Sequence, residues 1–508
     1  MSETSRVLHP AFRSKIMSAE QAAALIQPGD KVGMSGFTGS GHPKAVPVEL
    51  AKRISAAHAR GEAFRIDVLT GASTAPELDT ALAEVDGMEM RLPYQSDPVC
   101  RKKINEGSMH YSDIHLSHVA QHARFGFYGK MTVAVIEVTA ILEDGSLVPS
   151  TAIGNNNAWL ELSDKVILEV NSYQSMSLQG MHDIYDDAAL MPPHRKAIPL
   201  LRSDDRIGSP FMRVDPAKVV AVVETNTSDR NTEFTPPDAE SEKIAAHLLD
   251  FYSHEVKAGR LPKNLLPLQS GVGNIANAVL AGLNKGPFEN LSAYTEVLQD
   301  GMLDMIVSGK LVSASSTAIS LSKKALEYFE NNIETLRSKI LLRPQEISNH
   351  PEVIRRLGVL SMNGMIEADM YGNVNSTHIM GTRIMNGIGG SGDFTRNAYI
   401  SAFMTPSTAK GGAISCIVPM VSHVDHTEHD VHVIVTEQGL ADLRGLSPKQ
   451  RATTIIDKCA HPTYRDMLRD YYQRALRDAP GKHTPHILPE ALSWHTRFEE
   501  TGDMRTKA

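Results

Sequence analysis

Two periods organise the apolar positions of this chain. Short runs dense in Val, Ile and Leu have the character of buried strands: KVGMSGF (31–37), RIDVLTGAS (65–73), MTVAVIEVTAI (131–141), DKVILEV (164–170) and AKVVAVVET (217–225). Between them lie stretches with apolar residues three and four apart, such as PVELAKRISAAHARG (47–61), which stops at a glycine. This alternation predicts an α/β fold of mostly parallel sheets flanked by helices.

The pattern breaks at TNTSDRNTEFTPPDAESE (225–242), which is polar, holds two prolines and lacks apolar periodicity. A domain boundary is expected there, giving an N-terminal domain of residues 1–228 and a C-terminal domain of residues 229–508. A helix is expected from about Glu240 through KIAAHLLDFYSHEVK. The strand-like runs then return as LLPLQS (265–270), SAYTE (292–296), KILLRP (339–344), AISCIVPMVS (413–422) and VHVIVTEQG (431–439). The fold class is therefore two tandem open α/β domains. The late stretch HTPHILPEALSWHTRFEE (483–500) reads as irregular surface packing.

Composition narrows the function classes. At 508 residues the chain exceeds one hydrophobic core, and 42% apolar with 22% charged residues is ordinary for a globular enzyme. A net charge of −8 excludes a general basic footprint for nucleic acid. Cys100, Cys416 and Cys459 are far apart without CxxC spacing, which argues against a disulfide framework. The opening MSETSRVLHPAFRSK has no apolar signal core, and no apolar run reaches the ~18 residues of a spanning helix. A cytoplasmic protein with no membrane partner is expected.

The chemistry concentrates in glycine-rich turns after strands. In LQSGVGNIANAVLAGL (268–283), Gly271-x-Gly273-x-x-Ala276 fits the dinucleotide fingerprint, and Glu296 ends the next strand 25 positions on (296 − 271). That window alone leaves two readings open. It suits a nicotinamide dinucleotide with Glu296 on a ribose, and equally an ordinary glycine turn with an unrelated acid. NGIGGSGDF (386–394) can aim successive N–H groups at an anion, or simply be a loop needing positive φ. VTEQGLADLRG (435–445) places Glu437 at a strand end, and TPSTAKGG (405–412) places Lys410 in a small-residue loop. His423, His426, His429 and His432 recur every third residue, but the stretch runs into a strand, which scatters that spacing over both faces. No metal site is expected, and His429 and His432 are expected at the surface.

Together these segments closely resemble the acetyl-CoA hydrolase/transferase family. The resemblance rests on LQSGVGN, YTEVLQDGM, GMIEADMYGNVNST (364–377), NGIGGSGDF, STAKGG, HVDH and VTEQGLADLRG, and runs from SGFTGSGHPK (35–44) to GKHTPHILPEALSWH (481–495). It implies the class I CoA-transferase fold, a homodimer, and exchange of CoA between succinyl-CoA and acetate, with acyl-CoA hydrolysis as the alternative. It implies coenzyme A as co-substrate, no permanently bound cofactor, and acyl-CoA and short carboxylic acids as small-molecule partners. Glu296 would be the nucleophile, forming acyl-glutamyl anhydride and glutamyl-CoA thioester intermediates. Asn349 would lie near it, Glu437 would hydrogen-bond around it, and Gly390 would serve the oxyanion. CoA contacts would fall on Gly271, Val272, Gly273, Asn274, Ile275, Ile366, Asn386, Gly390 and Lys410, and the acid's carboxylate on Ser73 and Arg230. The motifs GFTG and TGAST (70–74) would join the site.

Overall fold

Residues 31–225 build a sheet whose strand order reverses direction in the middle. A computed structural model describes residues 5–186, 191–230, 233, 235–479 and 481–506. Asn231, Thr232 and Phe234 of the expected boundary stretch lie outside them. The chain divides into two compact units: residues Met1–Phe234 with Ser292–Leu357, and Thr235–Leu291 with Gly358–Ala508.

In the first unit the strand order is His110–Tyr111, Met88–Leu92, Ile66–Leu69, Lys31–Met34, Val133–Ile141, Lys165–Asn171, Val219–Thr225. Neighbours in that order pair in parallel, and Leu147–Pro149 adds an antiparallel edge to Val133–Ile141. Every residue of Val133–Ile141 is buried, Glu137 and Thr139 included, so its apolar residues fall at both odd and even positions where a one-sided strand would alternate. Trp159, fully buried, lies against Gly33, where a Cβ would come within 2.7 Å of its ring. The order reverses between Lys31–Met34 and Val133–Ile141, the switch point at which open α/β sheets bind ligands beyond the carboxyl ends of their strands. GFTG follows Lys31–Met34 there, and TGAST follows the adjacent Ile66–Leu69.

Packing divides the chain near the boundary expected at 228/229, between Phe234 and Thr235, and again at 291/292 and 357/358. Residues 292–357 pack with the first unit, and Glu296 and Asn349 go with them. The reason is long-range backbone pairing. Ile153 N–H donates to Thr317 O at 2.9 Å, Ile319 to Thr151 O at 2.9 Å, Leu342 to Met181 O at 2.9 Å and Gln345 to Gly154 O at 2.8 Å. Within this segment Leu311–Ser316 and Ile340–Leu342 run parallel.

In the second unit Leu268–Ser270, Leu360–Gly364, Ile400–Met404 and Val433–Thr436 lie side by side in parallel, closed by the antiparallel Gly439–Asp442. The registers Ser270↔Met362, Gly364↔Met404 and Met404↔Val435 bring the carboxyl ends of these strands to one edge. The expected helix spans Ala239–Lys257, with Asp238 Oδ1 accepting from Ser241 N–H at its start. AISCIVPMVS forms two short strands, Ile414–Ser415 and Ile417–Val418, outside that sheet. The stretch expected to be irregular instead contains the helix Ser493–Thr501. Its Trp494 is buried against Tyr464, ring centroids 5.5 Å apart, so tertiary packing supplies what local propensity lacked. Among the described residues no helix is long and apolar enough to cross a membrane.

Candidate active site

In the first unit, Glu296 follows the strand Leu291–Tyr294, and its backbone is clamped. Thr295 N–H donates to Ser315 O at 2.9 Å, and the Glu296 carbonyl accepts from Thr317 N–H at 2.9 Å and Ala318 N–H at 3.2 Å. Its half-buried carboxylate accepts through Oε1 from Asn349 Nδ2 at 3.0 Å. Asn349 is fully buried at the end of the helix Gln345–Ser348. Its Oδ1 accepts from Ser348 Oγ at 2.8 Å, and the Tyr294 hydroxyl donates to Ile347 O in the same helix. With Oδ1 occupied as acceptor, the amide must present its N–H to Glu296. A carboxylate aimed in this way is suited to nucleophilic chemistry.

An apolar wall stands beside it. Phe37, Ala72, Leu116, Ala152, Val297 and Ala318 form one buried cluster, with Tyr94 packed against it. Burial, then the charges of Glu296 and Asp113, push the Tyr94 phenol up to about 12, so it stays a neutral donor. Gly71 makes the wall tight: a Cβ there would meet Gly36 O at 2.8 Å, Phe37 Cδ2 at 2.9 Å and Gln345 Oε1 at 3.2 Å. GFTG and TGAST are joined directly, Thr38 N–H donating to Ser73 O at 2.8 Å.

Ser73 is buried, and its hydroxyl donates to Gln95 Oε1 at 2.9 Å. Gln95 Nε2 is buried with no hydrogen-bond partner among the described residues. Beneath the loop, buried Asp79 accepts from Thr74 N–H at 2.6 Å and from Arg91 Nε at 2.9 Å. Arg230 has an exposed side chain on a fixed backbone, its N–H donating to Gly39 O at 3.0 Å. The preceding Asp229 is buried, 2.9 Å from Lys44 Nζ, and accepts from Gly41 N–H at 3.0 Å. The Arg230 guanidinium pairs with Glu77 at 3.0 Å and lies on a cleft of about 840 Å³ that also exposes Asp300, Asp304, Lys323 and Tyr328.

In the second unit, Gly271 to Ile275, Ile366 and Glu437 follow parallel strands, whereas Asn386 and Lys410 follow strands of antiparallel hairpins. Gly271 to Ile275 follow Leu268–Ser270 and open the helix Asn274–Lys285, with Gly273 at φ 118°, a conformation glycine tolerates. They line a pocket of about 280 Å³ with Met362, Met365, Met404 and Thr405, where the first N–H groups of the helix can meet an anion. Val272 is 62% exposed at its edge. Ile366 follows Leu360–Gly364, its N–H donating to Asn375 O at 2.9 Å. Asn386 Nδ2 donates to Ser376 O at 3.2 Å and to Gly387 O at 2.9 Å, bracing the glycine loop. Gly390 is buried at the start of the helix Ser391–Asn397. Lys410 is exposed at a hairpin tip at φ 48°, its ammonium 5.0 Å from the Phe498 ring.

Glu437 follows Val433–Thr436 and is half-buried. Burial opposes its ionisation, but hydrogen bonds outweigh it and hold the carboxyl below its ordinary value. They come from the Ser407 hydroxyl, from Gln438 Nε2 at 2.9 Å and from Ser407 N–H at 2.7 Å. In this unit the acid thus anchors the loop that carries Lys410. The four recurring histidines separate. His426 is buried against Ser376 and Ser391, and His423 faces Asp425 at 3.3 Å. His429 is exposed, whereas His432, expected at the surface, is half-buried and accepts from Ser401 N–H at 3.2 Å.

Sequence reasoning missed Tyr94, Glu77 and Gln95. None belongs to a glycine motif. The available signal was position, since each lies within a few residues of a strand's carboxyl end or of TGAST.

The model of the acetyl-CoA hydrolase/transferase N-terminal domain matches residues 2–224, and that of the C-terminal domain matches residues 326–472. The chain belongs to this family. The acetyl-CoA hydrolase/transferase relatives include a succinyl-CoA:acetate CoA-transferase of Clostridium kluyveri, 51% identical over 98% of this chain and 92% of that protein. A propanoyl-CoA:succinate CoA transferase of Escherichia coli is 46% identical over 96% and 98%. An acetyl-CoA hydrolase of Candida albicans is 45% identical over 98% and 97%. Among solved structures, RipA from Yersinia pestis shares the fold with a TM-score of 0.72 at 22% identity, covering 91% of this chain and 98% of its own. The family covers both transfer and hydrolysis of acyl-CoA, so a dinucleotide reading of GVGNIA loses its support.

Proposed function

We propose that this protein transfers CoA from succinyl-CoA to acetate, giving acetyl-CoA and succinate, with Glu296 as the covalent nucleophile. The observation that carries this reading is the strand-end carboxylate of Glu296, held through one oxygen by a pre-aimed asparagine amide in a family of acyl-CoA enzymes.

The Glu296 carboxylate attacks the thioester carbonyl, and the C–S bond breaks to give an acyl-glutamyl anhydride and CoA thiolate. The thiolate attacks the glutamyl carbonyl, releasing succinate and leaving a glutamyl-CoA thioester. Acetate then attacks that thioester, and the same two steps in reverse deliver acetyl-CoA and restore the carboxylate. Every intermediate is an activated acyl group, so the thioester's free energy is retained. Fixing the carboxylate beside the thioester supplies effective molarities on the order of 10⁵–10⁸ M. Each attack creates an oxyanion, for which Asn349 Nδ2 is the proposed donor; losing such a donor typically costs about 2.7–4 kcal/mol.

The helix start at Gly271–Ile275, with Ile366, Asn386 and Lys410, would hold CoA as a co-substrate, with Ser73 at the acid and Arg230 at a carboxylate the acid does not commit to Glu296. Glu437 would act by holding the Lys410 loop. Coenzyme A need not be permanently bound, and we place the working enzyme in the cytoplasm as a homodimer.

Mass spectrometry of the peptide carrying Glu296, after incubation with succinyl-CoA, tests the covalent step. A mass increase equal to CoA with loss of water is expected, and exchange proceeding with that peptide never modified would overturn it. Hydrolysis is the second reading, favoured by the 45% identity to an acetyl-CoA hydrolase. CoA thiol released from succinyl-CoA at the same rate with and without acetate, and no acetyl-CoA formed, would establish it.

A further inference from the structure

Beside Arg230 the protein already carries a carboxylate of its own. Glu77 Oε1 lies 3.0 Å from Arg230 Nη2, with the two side chains 33% and 54% exposed. The pair is therefore open to a solute, and Arg230 borders the large cleft of its unit. Glu77 Oε2 points toward His42, 3.8 Å from Nε2. His42 is 1% exposed, and among the described residues neither of its ring nitrogens nor Glu77 Oε2 has a hydrogen-bond partner. A small rotation would let Glu77 accept from His42 when Arg230 turns to another anion, which removes two unpaired buried groups at once.

The backbone of Arg230 does not need to move in that exchange. Gly39 O holds its N–H, and Asp229 is pinned by Lys44 and Gly41. The choice lies with the guanidinium, between an internal carboxylate and one borne by the substrate.

We propose that Glu77 is a specificity-determining residue: it competes for Arg230 with the second carboxylate of a dicarboxylic acyl group and so sets the balance between dicarboxylate and monocarboxylate substrates. This rests on the reading of Arg230 as an acid-binding residue. An acid with a free distal carboxylate must displace Glu77 and meet its charge. An acid whose one carboxyl group is committed to the glutamyl centre does neither. In the proposed exchange, Glu77 would ease the departure of succinate without a matching effect on acetate.

The test compares wild type with Glu77→Gln and Glu77→Ser, which remove the charge in two ways, and with Glu77→Asp, which keeps it. KM and kcat are measured for succinate and for acetate. Half-saturation by each acid is also followed in the thermal midpoint of the free enzyme, which needs no turnover. Both neutral variants should lower KM and half-saturation for succinate by about two- to fivefold, the range of a partly exposed ion pair, with kcat and the acetate values nearly unchanged. Glu77→Asp should stay near wild type. Equal shifts for both acids, a higher succinate KM, or the same ratio in Glu77→Asp as in Glu77→Gln would overturn the inference. Wild-type protein that binds both acids but exchanges no CoA would remove the transferase reading, and the binding ratios would still decide the role of Glu77.

Discussion

The side-chain amide of Asn349 donates to Glu296 Oε1 at 3.0 Å, while Ser348 Oγ occupies the other end of that amide at 2.8 Å. Two residues 53 positions apart are thus held in one geometry by a fully buried asparagine that cannot turn over without losing a bond.

Asn349→Ala should lower kcat for CoA transfer by about 100- to 1000-fold, the cost of one lost oxyanion donor. Asn349→Asp should be worse, because it sets a second negative charge against Glu296. Steady-state kinetics on folded variants would check both. A loss of less than about threefold in Asn349→Ala would show that the contact does not serve the chemistry.

Glu296→Asp keeps the charge but withdraws it by about one methylene. A misplacement of about 1 Å can cost about 100-fold, so kcat should fall by at least that while the protein keeps its thermal midpoint. Single-turnover measurements with succinyl-CoA would separate this from weaker binding.

Gly71→Ala should destabilise the protein by about 1–3 kcal/mol, since its methyl group meets backbone at Gly36 O and the Phe37 ring with no flexible end to move aside. Because Phe37 belongs to the wall beside Val297, activity should fall as well. Denaturant unfolding and kinetics on the same sample would show the two losses together.

His182 is fully buried, and burial lowers its pKa to about 4; its Nε2 meets Ser150 O at 2.9 Å. The unfolded chain takes up this proton near its ordinary value of 6.5, whereas the folded one waits until about 4. Between those values acid favours unfolding, by up to about 1.4 kcal/mol per pH unit from this residue. The stability gap between wild type and the non-titrating His182→Gln should therefore be widest at and above pH 6.5 and narrow as pH falls toward 4. Thermal midpoints across that range would reveal it, and a gap independent of pH would show that His182 is not held neutral by the fold.

Much of the candidate site could be read along the chain because its loops follow strands. Gly271 and Glu437 each directly follow a strand's carboxyl end in one parallel sheet, and the apolar runs LLPLQS and VHVIVTEQG marked those strands, whereas Ile366 follows Leu360–Gly364, which no such run marked. Asn349 was visible only through family resemblance, since a single asparagine after a four-residue helix has no pattern of its own. Tyr94, Glu77 and Gln95 carried only the positional signal of a nearby strand end or glycine loop, with no motif of their own. Their roles arise from what lies across the fold, and sequence separation does not show that distance.

By itself the sequence determined that this is an α/β chain of parallel strands with glycine turns at their ends. Period and turn chemistry are local, and each segment carries its own instructions. The tertiary structure alone decided that residues 292–357, and with them Glu296, pack with the first unit. Backbone groups in that segment must be paired, and the partners that pair them, at Thr151, Ile153, Gly154 and Met181, lie well over a hundred residues away.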